Sequence, residues 1–171
     1  MENQATTTRT ALKWGVIIGI INILFSTAIM LAGQIGNQVT GYAVYLIIGV
    51  GIYLALNDFK KENLGFMTYS QGLGLGTMMS AIVGLISGFY SFAYMKFIDS
   101  TITDQILKNA ENEMQKKGLP DDQIEQAIEY SKMFMSPGVM FIAGVFFAIL
   151  LGFFCSLILA AILKKDKPVF D

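Results

Sequence analysis

Acidic and basic side chains are missing from three long stretches of this chain, residues 14–56, 66–95 and 133–163. That pattern constrains the fold more than any motif does. A helix rises about 1.5 Å per residue, so about 20 apolar residues cross a hydrocarbon core of about 30 Å. The first stretch is long enough to cross twice, with the uncharged link 34–38, which holds Gly36 and Asn37, making a tight turn between crossings. The expected spans are 11–33, 39–56, 66–94 and 137–163. Only 15% of the 171 residues are charged, against about 25% in an ordinary soluble domain. Span one is longer than the apolar core of a signal peptide and no A-x-A cleavage site follows it, so it reads as a retained anchor.

The charged residues fall between these spans. Asn57, Asp58, Lys60, Lys61, Glu62, Asn63 and Gly65 make a polar connector that cannot lie in lipid. Between spans three and four lie eight of the chain's thirteen acids, in a segment with helical periodicity. Ile102, Ile106, Ala110 and Met114 recur at every fourth position and Leu107 widens the stripe. Gly118 suits a helix C-terminus and Pro120 blocks continuation. A second helix is expected beyond, with Asp122 as N-cap and Glu125 closing a capping box, and with Ile124, Ala127, Ile128, Phe134 and Met135 as its apolar face. Ser136 and Pro137 then form a start signal for span four.

With four spans, both termini and the connector near residue 60 share one side, and the hairpin takes the other. Arg9, Lys13, Lys60, Lys61, Lys164, Lys165 and Lys167 lie in short segments on the first side, whereas acids outnumber the hairpin's five lysines. The positive-inside rule therefore places both termini in the cytoplasm. Trp14 and Tyr69 near one interface, with Tyr42, Tyr90 and Tyr94 near the other, fit aromatic belts.

Small residues follow a regular spacing. Gly72, Gly76, Ser80, Gly84 and Gly88 fall at i+4 intervals in span three, and Gly144, Ala148, Gly152, Ser156 and Ala160 do so in span four. Span one has a shorter version at Gly15 and Gly19. Such ridges let two backbones approach closely where lipid supplies no hydrophobic drive. The simpler reading packs the two long ridges against each other within one chain. The sharper reading puts one ridge against a second copy, and a homo-oligomer is favoured because a four-helix unit offers few partners for Gly49, Gly51 and Ala55 of span two.

Function is less legible. The chain has no histidine, which removes the commonest general base, metal ligand and near-neutral proton switch. Its single cysteine, Cys155, sits in span four and reads as a packing residue. The net charge of −1 argues against nucleic acid as a partner. Gly72, Gly74 and Gly76 lack the strand and lysine of a phosphate loop. Asp121 and Asp122 lack the spacing of a calcium loop, so no metal site and no cofactor is expected. Asn22 in span one and Gln71 in span three are the strongest polar side chains in apolar runs, and no span core carries an ionisable group. A transport path through Asn22, Gln71, Tyr45 and Tyr53 is the alternative to a non-enzymatic structural or interaction role.

The sequence also resembles a family of uncharacterised bacterial inner-membrane proteins grouped as a domain of unknown function. The resemblance rests on Tyr69-Ser70-Gln71-Gly72, on Gly118-Leu119-Pro120-Asp121-Asp122-Gln123-Ile124-Glu125, on Ser136-Pro137 and on the small-residue span ending in Lys164-Lys165. It implies a four-span protein of a two-membraned bacterium with the hairpin in the periplasm, and it supplies no functional residue. The expected organisation is a disordered cytoplasmic N-terminus (1–10), spans one to three (11–94), a periplasmic helical hairpin (95–136), span four (137–163) and a cytoplasmic basic tail (164–171). The fold class is all-α and polytopic, with the lipid bilayer as first partner, and the periplasmic hairpin and the small-residue faces as the surfaces for others.

Overall fold

The computed structural model describes residues 6–34 and 38–167, so Gly36 and Asn37 of the expected turn lie outside the described residues. Among the described residues the architecture is all-α: α1 (Thr7–Leu31), α2 (Gln38–Glu62), α3 (Tyr69–Phe97), α4 (Ile102–Lys116), α5 (Asp121–Phe134) and α6 (Pro137–Leu163). Helices α1, α2, α3 and α6 are long and apolar enough to cross a membrane. At about 1.5 Å per residue the 29 residues of α3 reach about 43 Å, so this helix tilts or projects beyond the hydrocarbon.

Burial and hydropathy run in opposite orders across these four helices. In α6, the most apolar, 17% of the most hydrophobic stretch is buried, whereas in α3, the least apolar, the share is 39%. Water would force the greasiest helix to the centre; lipid leaves it outside. Leu24, Leu46, Phe89, Phe147, Ile158 and Ile162 accordingly project outward and exposed. The chain is a multi-pass membrane protein whose outer surface contacts lipid.

Helix α3 stands at the centre, packed most extensively on α6, then on α1 and α2. Two ties gather the start of α1, the end of α2, the start of α3 and the end of α6 at one end, the base. The Lys13 ammonium and the Trp14 indole N–H both donate to Asp58 Oδ2, each at 2.7 Å. Met67 and Lys165 exchange backbone hydrogen bonds of 2.9 Å in both directions. Ile52, Leu56, Phe59, Met67, Leu75 and Met79 fill the base core and are essentially inaccessible.

These ties correct two expected boundaries. Asn57 to Glu62 form the last turns of α2 rather than a connector, because Phe59 is buried there and Asp58 finds partners on α1. Helix α1 starts at Thr7, inside the segment expected to be disordered, with the Thr6 hydroxyl accepting from the Arg9 N–H. α6 runs over the expected residues, with Ser136 capping it and Pro137 in its first turn.

The extramembrane hairpin is built from α4 and α5, which pack chiefly on each other. Ile102, Leu107 and Ile124 are its buried side chains. Gly118, at φ +73°, ends α4 in a Schellman motif: its N–H donates to Gln115 and that of Leu119 to Met114. The expected capping box of α5 does not form. The helix begins at Asp121 with Pro120 as cap residue and no side-chain cap bond, so Asp122 already lies in the first turn. A non-glycine residue, Leu64, adopts φ +57° at the end of α2.

Candidate functional site

The centre of the bundle is the α3–α6 seam, where small residues from two antiparallel helices meet in register. A methyl added to Gly72 would lie 2.8 Å from Ala160 Cβ, and one added to Gly84 would lie 2.8 Å from Ala148 Cβ. Between them Gly76 faces Ser156, and Gly152 faces Ser80. The remaining expected packing residues divide. Gly15 and Gly19 abut Ile82 and Ile86 of α3, not another glycine. Gly88 meets the Phe141 ring instead of Gly144, and the notch at Gly144 has no neighbour within 4 Å. The seam therefore closes through Gly84 and opens above it, toward the hairpin.

Span two offers a second copy less free surface than its small residues suggest. Gly51 faces Ile18 and Met79, and Ala55 is inaccessible, so both are used inside the chain. Gly49 has no neighbour within 4 Å.

Above Gly84 the four spanning helices line an open cavity of about 370 Å³. Its polar lining comes from Asn22 and Ser26 of α1, Tyr45 of α2, and Ser87 and Ser91 of α3. Helical spacing explains the grouping, since Asn22 with Ser26, and Ser87 with Ser91, each stand four residues apart on one face. Asn22 is only 2% exposed, and neither its Oδ1 nor the Ser87 Oγ has a hydrogen-bond partner among the described residues. Ser80 and Ser156 on the closed seam also have unpartnered hydroxyl oxygens. Beside the cavity, Thr27 donates to the Ile23 carbonyl at 2.8 Å, so its bond with the Tyr90 hydroxyl at 2.6 Å has Tyr90 as donor.

The four residues of the suggested polar path are not brought together. Tyr45 joins Asn22 at the cavity, whereas Tyr53 and Gln71 are absent from its lining. Gln71 is used in a capping box: its Oε1 accepts from the Thr68 N–H at 2.9 Å, and the Thr68 hydroxyl accepts from the Gln71 N–H. Its place three residues after a threonine, at the start of an apolar run, was the signal for that role. Ser87 and Ser91 carry no signal in the sequence, because an isolated serine in a span is ordinary. The Asp58 tie carries none because its partners lie more than forty residues away in sequence.

Residues 13–165 match the model of a family described as Protein of unknown function (DUF4199). The chain belongs to that family. The DUF4199 match begins at Lys13 and ends at Lys165, so it takes in both base ties, the cavity and the whole hairpin. No curated protein and no solved structure matches the chain.

Proposed function

We propose that this DUF4199 protein is a non-enzymatic interaction component of a bacterial inner membrane, with both termini in the cytoplasm and the α4–α5 hairpin in the periplasm. The observation that carries this reading is the attachment of the hairpin, whose helices pack chiefly on each other while leaving Tyr130, Met133 and Phe134 about two-thirds exposed. Such a cluster on a protruding element suits contact with a partner protein. Lys13, Lys60, Lys61, Lys164 and Lys165 gather at the base, which supports a cytoplasmic base. A non-enzymatic role is supported by the absence of histidine and by the use of the Lys13–Asp58 pair as a strut between helices.

The small-residue seam is the packing device of one chain in this reading. A homo-oligomer through small-residue faces would then rely on Gly41, Gly49 and Gly74, whose notches are empty.

Site-specific photo-crosslinking in living cells tests the hairpin. A crosslinker at Tyr130 or Met133 is expected to capture a partner that one at Gln123 does not. Adducts of equal yield at all three positions, or none at any, would refute it. Alkaline phosphatase inserted at Gly118 is expected to be active and a C-terminal fusion inactive; the reverse pattern overturns the orientation.

A further inference from the structure

The cavity above Gly84 is built by omission. Gly84 and Gly88 of α3 line it but pack against Ala148 and Phe141, whereas the notch at Gly144 of α6 is left open although the seam continues regularly up to Ala148. Asn22, only 2% exposed, and Ser87 line this space, and beside it the Asn22 Oδ1 and the Ser87 Oγ are buried without a hydrogen-bond partner among the described residues. An unmade hydrogen bond at a buried polar group costs about 1–3 kcal/mol, so two such atoms on side chains that line one cavity favour an occupant to which a rotation about their side-chain bonds presents them.

We propose that this cavity binds an uncharged membrane lipid bearing a hydroxyl head group. The lining contains no Asp, Glu, Lys or Arg, so a charged head would be desolvated without a counter-charge, which is strongly unfavourable. An amide and a serine hydroxyl each offer both donor and acceptor capacity. Their common complement is a group that also donates and accepts, which a hydroxyl does and a ketone or ether does not. The rest of the wall is apolar, with Val44, Ile48, Phe141 and Leu151 available to an alkyl chain. Tyr45 of α2 and Phe147 of α6 line the cavity and are also exposed. They mark a lateral mouth toward lipid. At about 370 Å³ the volume is near the lower end of the roughly 300–1,000 Å³ typical of small-molecule sites, which suits one chain rather than the two tails of a phospholipid.

The test uses the full chain in phosphatidylethanolamine–phosphatidylglycerol liposomes and a diazirine-bearing long-chain fatty alcohol, with labelled peptides mapped by mass spectrometry. Labelling is expected at α3 and α6 around Gly144 and to be displaced by monoacylglycerol but not by glycerol. Asn22→Leu is expected to weaken binding about tenfold, the equivalent of one lost hydrogen bond. Gly144→Leu, whose Cβ would meet no neighbour within 4 Å, is expected to abolish labelling. Gly74→Leu, at an equally open glycine outside the cavity, is expected to change nothing and controls for folding. Equal labelling by the matching fatty acid or methyl ether, unchanged labelling of Gly144→Leu, or labels spread evenly over the lipid-facing surface would each overturn the proposal. Displacement by glycerol would overturn its membrane-lipid part.

Discussion

The two halves of the bundle are built from the same four helices and packed to different standards. In the base half, α1 buries Thr10, Ala11, Gly15, Ile18 and Gly19, α2 buries every described buried residue it has from Ile48 to Phe59, and α6 buries Gly152, Ser156 and Ala160. In the hairpin half, α1 has no buried residue beyond Asn22, α6 has none before Gly152, and α3 has Met95 alone beyond Gly84. Small side chains are present in both halves. What differs is registration along the α3–α6 seam: from Ala148 toward the base each notch between the two helices faces a small partner, and above it a phenylalanine ring occupies one notch while the other stays empty. A small-residue ridge gives close contact only where the facing helix offers a matching one. Where the match lapses, the helices leave room.

The sharpest way to break this contrast is to place the same substitution in each half. Gly76→Leu drives a side chain into Ser156 and within 3.0 Å of Ile52, and is expected to destabilise the protein by about 3 kcal/mol. Gly144→Leu is expected to stay within about 0.5 kcal/mol of the parent. Denaturant titrations in mixed micelles measure both, and equal losses would end the distinction.

Removing a base tie sharpens it further. Asp58→Ala leaves the Lys13 ammonium and Trp14 indole without their shared acceptor. A loss of about 1–2 kcal/mol is expected, most of it through the part-buried indole, because Lys13 is half exposed and its ion pair is screened. Trp14→Phe in the same background should then add little, and full additivity of the two changes would show that they do not interact.

Turn residues give smaller and opposite effects. Leu64→Gly relieves a side chain held at φ +57° and is expected to stabilise the base by about 1 kcal/mol, whereas Gly118→Ala, at φ +73°, is expected to cost the hairpin a similar amount. Hydrogen exchange resolves the two locally. Protection changes that ran through the whole chain in both variants would contradict independent regions.

The smallest expected effect depends on pH. Asp99 accepts from the Thr101 hydroxyl and the Thr101 N–H, bonds that hold its carboxyl below the usual carboxylate range. A lowered folded-state pKa means that this contribution is present above the ordinary carboxylate value and is lost as the pH falls through the lowered one. Amides in the first turn of α4 are expected to exchange faster in acid, relative to intrinsic rates, and Asp99→Asn should remove that dependence. A base-half amide responding equally would separate the effect from Asp99.

Much of this protein is legible in its sequence. Four spans, a helical hairpin, the Ser136–Pro137 start and the glycine that ends α4 follow from local signals, because charge exclusion, helical periodicity and backbone conformation act within a few residues. The candidate site was readable only in pieces. Asn22 stood out as a polar side chain in an apolar run, but its grouping with Tyr45 and Ser87 joins three helices. Gln71 stood out equally and proved to be a cap.

Composition and spacing by themselves determined that lipid solvates the long helices and which residues are small enough for close approach. Tertiary structure alone decided which ridges meet, where the register lapses, that Asp58 ties α1 to α2, and that Asn22 lines a cavity. The reason is physical: hydropathy and helix propensity are carried by each segment, whereas complementarity belongs to a pair of surfaces and exists only once both are placed.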